Sequence, residues 1–314
     1  MTDTPKRFMT NSELKLWREC RRKWWLSQWR RLRIKPELED LSQAGLGTLV
    51  HRGLEALGTP GGDWRAVLAA AEAEAVAMWE ETNPTRLADW RKKHLELATI
   101  MIEGYEEWLE EEGADQWIEV VAAEERVEAF LFEVDGIEVW LLGKIDQRIR
   151  DLYDNTEGFL DFKTVGSLGD IPKRAAVDEQ FLHYTLLLML RDRLTATTMR
   201  GGIWRMLRKV KRTARSNPPF YGEHRYRFNT EQLRSYRQRV EFLAEEILQT
   251  EAALRNGADP LRILPPTPTG DCNWKCEFRQ VCPMFDNGDR VEDFIADWYD
   301  EGNPLERYDK EGTE

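Results

Sequence analysis

A single dipeptide, Asp135-Gly136, does most to restrict the fold, because it joins two long stretches of extended type, residues 120–134 and 137–149. Asp-Gly supplies the two left-handed backbone positions that a tight two-residue turn requires, so the stretches form a β-hairpin. A third extended stretch, residues 158–165, follows the polar turn at 151–157 and continues the hairpin as an antiparallel meander. Helical periodicity surrounds this centre. Upstream it covers residues 11–25, 64–81 and 87–108, with Asn11 or Ser12 as the expected first cap, and downstream 177–193 and 231–255. Two more extended stretches, 202–211 and 221–228, flank a loop at 213–219. The reading is α/β: a mixed β-sheet core flanked by helices, with an N-terminal helical insertion and a C-terminal cysteine-rich segment. Along the chain this gives a helical part over residues 10–115, a core over 116–256, a Pro-rich connection into a cysteine segment at 264–285, and a solvated acidic tail at 286–314.

The 314 residues contain no uninterrupted apolar run near the roughly 20 residues of a membrane-spanning helix. The N-terminus has no apolar export signal, so the expected location is the cytoplasm. The net charge of −12 argues against a protein that coats nucleic acid with its whole surface. Local charge is uneven, however. Arg18, Arg21, Arg22, Lys23, Arg30, Arg31, Arg33 and Lys35 stand against Glu19 alone, and residues 205–215 carry six bases and no acid. Trp24, Trp25 and Trp29 interleave with the first set, a composition suited to stacking unpaired bases beside a phosphate track. The same tryptophans also suit burial, and at least one is expected in the core.

Chemistry concentrates in the meander. Asp161 and Lys163 alternate with Phe162 along one strand, so the acid and the base share a face. Asp146 lies on the preceding strand, at a separation that one turn can fold back across the sheet. Two carboxylates brought together this way repel, and a hard divalent cation such as Mg2+ or Mn2+ relieves that repulsion. Lys163 is placed to orient water or to stabilise charge at a phosphodiester held there. His51 opens a helical pattern after Gly47, and Gln180 and Tyr184 are four apart on one helical face.

Cys272, Cys276 and Cys282 form C-x3-C-x5-C, while Cys20 lies far upstream, and these are all the cysteines in the chain. In a reducing compartment such clustering favours a metal centre over disulfides. Four thiolates fit tetrahedral zinc or a [4Fe-4S] cluster, and spacing leaves both open.

His51, Asp146, Asp161-Phe162-Lys163 and Gln180-x3-Tyr184, in that order, resemble the RecB-like branch of the PD-(D/E)XK nuclease superfamily over residues 10–285. The resemblance implies one nuclease domain over residues 1–285 with a restriction-endonuclease-like fold. It implies that His51, Asp146, Asp161 and the Phe162 carbonyl ligate the metal, that Lys163 is catalytic, and that Gln180 and Tyr184 lie beside the site and contact DNA. The cysteine layout is similar to that of iron-sulfur members, including AddB-type subunits and nucleases of CRISPR adaptation, which place one cysteine before the core and three after it. The implied function is a metal-dependent DNA exonuclease acting on single strands or ends in recombination, repair or replication. The chain has no G-x4-G-K-[ST] phosphate loop, so a helicase or recombination partner would be a separate chain. Two alternatives stand beside this one: a noncatalytic iron-sulfur DNA-binding scaffold, and a zinc-stabilised RNA nuclease.

Overall fold

Asp135 and Gly136 both adopt positive φ, 50° and 71°, and close the hairpin between the two long strands. The computed structural model describes residues 4–35, 45–169, 173, 177–195 and 197–308. Its strands are β1 (Lys6–Thr10), β2 (Leu32–Ile34), β3 (Ile118–Val134), β4 (Ile137–Asp151), β5 (Glu157–Val165), β6 (Met199–Arg208), β7 (Tyr221–Tyr226) and β8 (Tyr299–Glu301). Its α-helices are α1 (Asn11–Glu19), α2 (Arg21–Trp24), α3 (Gly45–Gly58), α4 (Trp64–Trp79), α5 (Pro84–Trp90), α6 (Glu96–Glu112), α7 (Glu179–Asp192), α8 (Thr230–Arg255), α9 (Pro260–Ile263), α10 (Met284–Asn287) and α11 (Val291–Trp298). Two π-helical turns, Trp25–Trp29 and Arg91–Leu95, divide patterns that read as continuous helices. Among the described residues no helix is long and apolar enough to cross a membrane.

Contacts group the chain into two compact units that interleave in sequence. The first comprises Met1–Glu39, Arg126–Gly143 and Glu231–Glu314. Here β1 pairs in parallel with residues 138–142 of β4, a pairing the sequence periodicity does not reveal. Thr10, rather than Asn11 or Ser12, caps α1, its hydroxyl accepting from the Glu13 amide at 3.1 Å. Glu13 is buried and accepts from the Trp24 indole at 3.0 Å and from Arg7. Trp24 and Trp25 belong to the core, so they offer no face to a base, whereas Trp29 is half-buried.

The first basic stretch is largely matched within this unit. Arg21 pairs with Glu246, Lys23 with Glu277, Arg30 with Glu292 and Arg31 with Glu301. These acids explain a second departure from expectation. The acidic stretch after residue 286 is folded through Tyr308: α11 follows Arg290, and β8 pairs antiparallel with β2. Residues 309–314 of the expected tail lie outside the described residues.

The second unit comprises Asp40–Glu125 and Lys144–Thr230. Residues 147–150 of β4 pair antiparallel with β5, β5 pairs in parallel with β6, and β6 pairs antiparallel with β7. The sheet is therefore mixed, and the meander ends at β5. Leu160, Phe162, Ile203 and Leu207 of this sheet join a buried cluster with Leu49, Val50 and Leu54 of α3 and Met101 and Ile102 of α6. Gly53 permits the close approach of α3 to α6, since a Cβ there would lie 2.3 Å from Ile102 Cδ1. Asp63 caps α4, and Asn83 caps α5 with Pro84 at its first turn. The second basic stretch is paired here too: Arg205 is buried against Asp115 and Glu223, Lys211 meets Glu96, and Arg212 meets Glu107.

Candidate active site

Alternation along β5 buries Phe162 in the helix-facing core and leaves Asp161 and Lys163 on the other face, where Lys163 Nζ lies 2.6 Å from Asp161 Oδ2. Asp161 is 1% exposed, and Lys163 is the cation that faces it. The Asp178 carboxylate caps α7 by accepting from the Phe181 amide at 2.9 Å, which fixes where the helix begins and therefore where Gln180 points. Gln180 Oε1 accepts from Lys163 Nζ at 2.8 Å, while its Nε2 donates to Asp161 Oδ1 at 3.0 Å and to the Tyr184 hydroxyl at 3.1 Å. One helical turn on, the Tyr184 hydroxyl donates to the Lys144 carbonyl at 2.7 Å. Only one amide orientation satisfies all of these partners, so the network fixes Gln180 and, through it, Lys163.

Asp146 sits on β4 next to this network. Its Oδ2 accepts from the Phe162 amide at 2.8 Å and lies 3.4 Å from His51 Nδ1. Burial, with repulsion from Asp161 and Glu124, raises the Asp146 carboxyl well above the usual carboxylate range. Burial lowers the His51 imidazole below its ordinary value despite the pull of Asp161, which favours the neutral ring that can donate a lone pair to a metal. Lys163 is pushed down by burial, but Asp161 and Asp146 outweigh that effect and raise it, so it remains an ammonium near neutral pH.

Donor atoms of His51, Glu124 and Asp146 all lie within 4.8 Å of one another, and this is the one such group of His, Cys, Asp or Glu among the described residues. The set differs from the expected His51, Asp146 and Asp161. Asp161 is adjacent but turned to Lys163 and Gln180, because a buried carboxylate takes the nearest cation and donor. Glu124 is the third member of the group. Its φ of 47° is unusual for a side-chain-bearing residue and re-aims the β3 strand at this point. Glu124 also pairs with Lys144 at 2.8 Å. The only trace in the sequence is a Glu124-Glu125 pair inside a largely apolar extended stretch. An imidazole beside two carboxylates is a donor set suited to Mn2+ and, less strongly, Mg2+.

The four cysteines all lie in the first unit and are free thiols of intermediate burial. Cys20 Sγ caps α2 by accepting from the Lys23 amide at 3.5 Å and also accepts from the Thr267 amide at 3.4 Å. Thr269 donates its amide to Cys272 Sγ at 3.4 Å. Burial pushes the Cys282 thiol up to about 11, with Cys20 and Cys276 among its electrostatic neighbours, and also raises Cys276, which neighbours Cys272. The Pro-rich segment joins Cys20 to Cys272, since its Thr267 amide donates to the first sulfur and its Thr269 amide to the second.

A model of the PD-(D/E)XK nuclease superfamily matches residues 9–283. One solved structure, the crystal structure of SSO0001, matches over 76% of this chain and 84% of its own, at 16% identity and a TM-score of 0.30. No curated protein matches the chain.

Proposed function

The chain belongs to the PD-(D/E)XK nuclease superfamily, and from that premise we propose that it is a divalent-metal-dependent deoxyribonuclease, an exonuclease on single-stranded DNA or DNA ends serving recombination, repair or replication. Membership implies a metal-dependent nuclease with the mixed α/β, restriction-endonuclease-like fold. The observation that carries the finer reading is the union, inside one compact unit, of His51 against Asp146 and of Lys163 against Asp161 and Gln180. A cation held by His51, Asp146 and Glu124, with Asp161 and the Phe162 carbonyl beside it, would neutralise a phosphodiester and make water more acidic.

This chain's own residues account for the rest. Lys163, fixed by Asp161 and Gln180, presents a positive charge to the phosphoryl oxygens as they gain negative charge. Gln180 and Tyr184 hold that geometry and line the path of the strand. The paired surface cations in both basic stretches can exchange acidic partners for phosphates, since exposed ion pairs contribute only about 0–1 kcal/mol each.

Cys20, Cys272, Cys276 and Cys282 are assigned to a [4Fe-4S] cluster. Tetrahedral zinc with Zn–S near 2.3 Å would place its sulfurs about 3.8 Å apart. Among the described residues no three cysteine sulfurs come within 4.8 Å of one another, so they do not form a ready-made zinc tetrahedron, and the cluster assignment rests on their layout of one before the core and three after it. Its part would be structural, tying Cys20 to segments some 250 residues away.

The test is digestion of end-labelled single-stranded DNA, duplex DNA and RNA with Mg2+ or Mn2+, comparing wild type with Lys163→Ala. Metal-dependent release of products from DNA ends, lost in the variant, is the expected result. Cleavage of RNA alone, or DNA binding without cleavage by wild type, would refute it.

A further inference from the structure

Among the described residues Arg22 and Arg205 are the two fully buried arginines, and their surroundings differ. Arg205 is saturated, donating to Asp115 at 2.7 Å, Glu223 at 2.8 Å and the Tyr105 hydroxyl at 2.9 Å. Arg22, 1% exposed, donates Nε to the Leu264 carbonyl at 3.1 Å and reaches Asp286 through Nη2 at 3.4 Å, while Nη1 has no partner. A buried cationic N–H without an acceptor forfeits its hydration and gains nothing in exchange. Such a group calls for an acceptor that belongs to the working protein.

The position of Arg22 identifies the acceptor. It lies two residues after Cys20, in the short helix that the Cys20 sulfur caps. Asp286 and Phe285, which its guanidinium also meets, lie four and three residues beyond Cys282. Arg22 also pulls the Cys282 thiol down against the effect of burial. The orphaned donor therefore belongs to the segment that carries the first cysteine and meets the one that follows the last, where an iron-sulfur cluster with four thiolates would carry net negative charge.

We propose that Arg22 Nη1 donates a hydrogen bond to a sulfur of the cluster held by Cys20, Cys272, Cys276 and Cys282. This rests on the cluster assignment above. Arg22 is then a positioning residue: its Nε is anchored by Leu264 and its Nη2 by Asp286, and the remaining edge of the fork meets the cluster. Hydrogen bonding to cluster sulfur favours the reduced, more negative state, so Arg22 also raises the reduction potential.

The experiment uses the full chain purified without oxygen, as wild type, Arg22→Gln and Arg22→Lys. Iron and sulfide content, visible absorption, reduction potential and the rate of bleaching by a chelator are measured. Arg22→Gln should shift the potential downward and bleach about tenfold faster, as loss of an outer-shell partner typically does. Arg22→Lys should recover part of the potential, because the charge returns, and still bleach fast, because the anchored fork does not. Should Arg22→Gln fail to fold, pulsed electron paramagnetic resonance of the reduced wild-type cluster grown with 15N-arginine gives the answer directly, as a hyperfine coupling to an arginine nitrogen. Absence of that coupling, or unchanged potential and bleaching in Arg22→Gln, overturns the proposal. A colourless wild type that contains zinc overturns the cluster assignment itself, and does so before any variant is made.

Discussion

Asp146→Asn should make the metal-free protein more stable while removing its response to metal. Asp146 is 14% exposed at its side chain and lies among Asp161 and Glu124, which with burial hold its carboxyl above the ordinary value of 3.8. The Phe162 amide donates to Asp146 Oδ2 at 2.8 Å, and an asparagine oxygen can accept the same bond. The substitution therefore removes the charge and keeps the contact. Relief of a site strained for function is typically worth about 0.5–2 kcal/mol. In the wild type, Mn2+ at a hundred times its dissociation constant adds about 2.7 kcal/mol.

The pH dependence has a definite sign. A carboxyl raised in the folded state contributes stability that is fully present below its unfolded value and is lost as pH rises through the folded value. In chelator, the advantage of Asp146→Asn over wild type should therefore grow as pH rises from about 4, the ordinary carboxylate range. Differential scanning calorimetry in chelator and in Mn2+, from acid to neutral pH, reads both effects, at about 2 °C per kcal/mol. A variant less stable than wild type in chelator throughout, or one that keeps the full Mn2+ shift, would refute the reasoning.

Tyr184→Phe removes the hydroxyl that accepts from Gln180 and donates to the Lys144 carbonyl, and should cost about 1–3 kcal/mol by chemical denaturation. It should also lower cleavage less than Gln180→Ala, because Gln180 keeps Asp161 and Lys163. Gly202→Ala places a Cβ about 2.5 Å from the buried Phe181 and Phe159 rings and should destabilise by roughly 1–3 kcal/mol in the same assay. Glu124→Gln should weaken Mn2+ binding about tenfold in a calorimetric titration if Glu124 belongs to the donor set, and leave it unchanged if it serves only Lys144. On the proposed cluster, Cys282→Ala should lack the visible absorption and the iron that the wild type carries, measured by elemental analysis.

Short-range rules made part of this molecule legible in its sequence. The period of two along β5 places Asp161 and Lys163 on one face, and the four-residue spacing of Gln180 and Tyr184 puts them one helical turn apart, as the contacts among them bear out. Asp135-Gly136 announced its turn because few dipeptides tolerate two positive φ values. Features set by distant partners were not legible. β1 pairs with a strand some 130 residues away, β8 with one about 270 residues away, and neither is long enough to show alternation. Trp24 and Arg22 read as a nucleic-acid face because their composition is amphipathic, yet Glu13, Leu264 and Asp286 supply partners that make burial cheaper than exposure. Glu124 was missed for a local reason: its aim depends on a left-handed backbone that no residue pattern there signals.

Anomalous diffraction from a crystal of the wild type soaked in Mn2+ tests the central claim most directly. The account predicts one strong peak within bonding distance of His51, Asp146 and Glu124 or Asp161, close to the ammonium of Lys163. A protein saturated with Mn2+ whose peaks all lie away from His51 and Asp146 would contradict it.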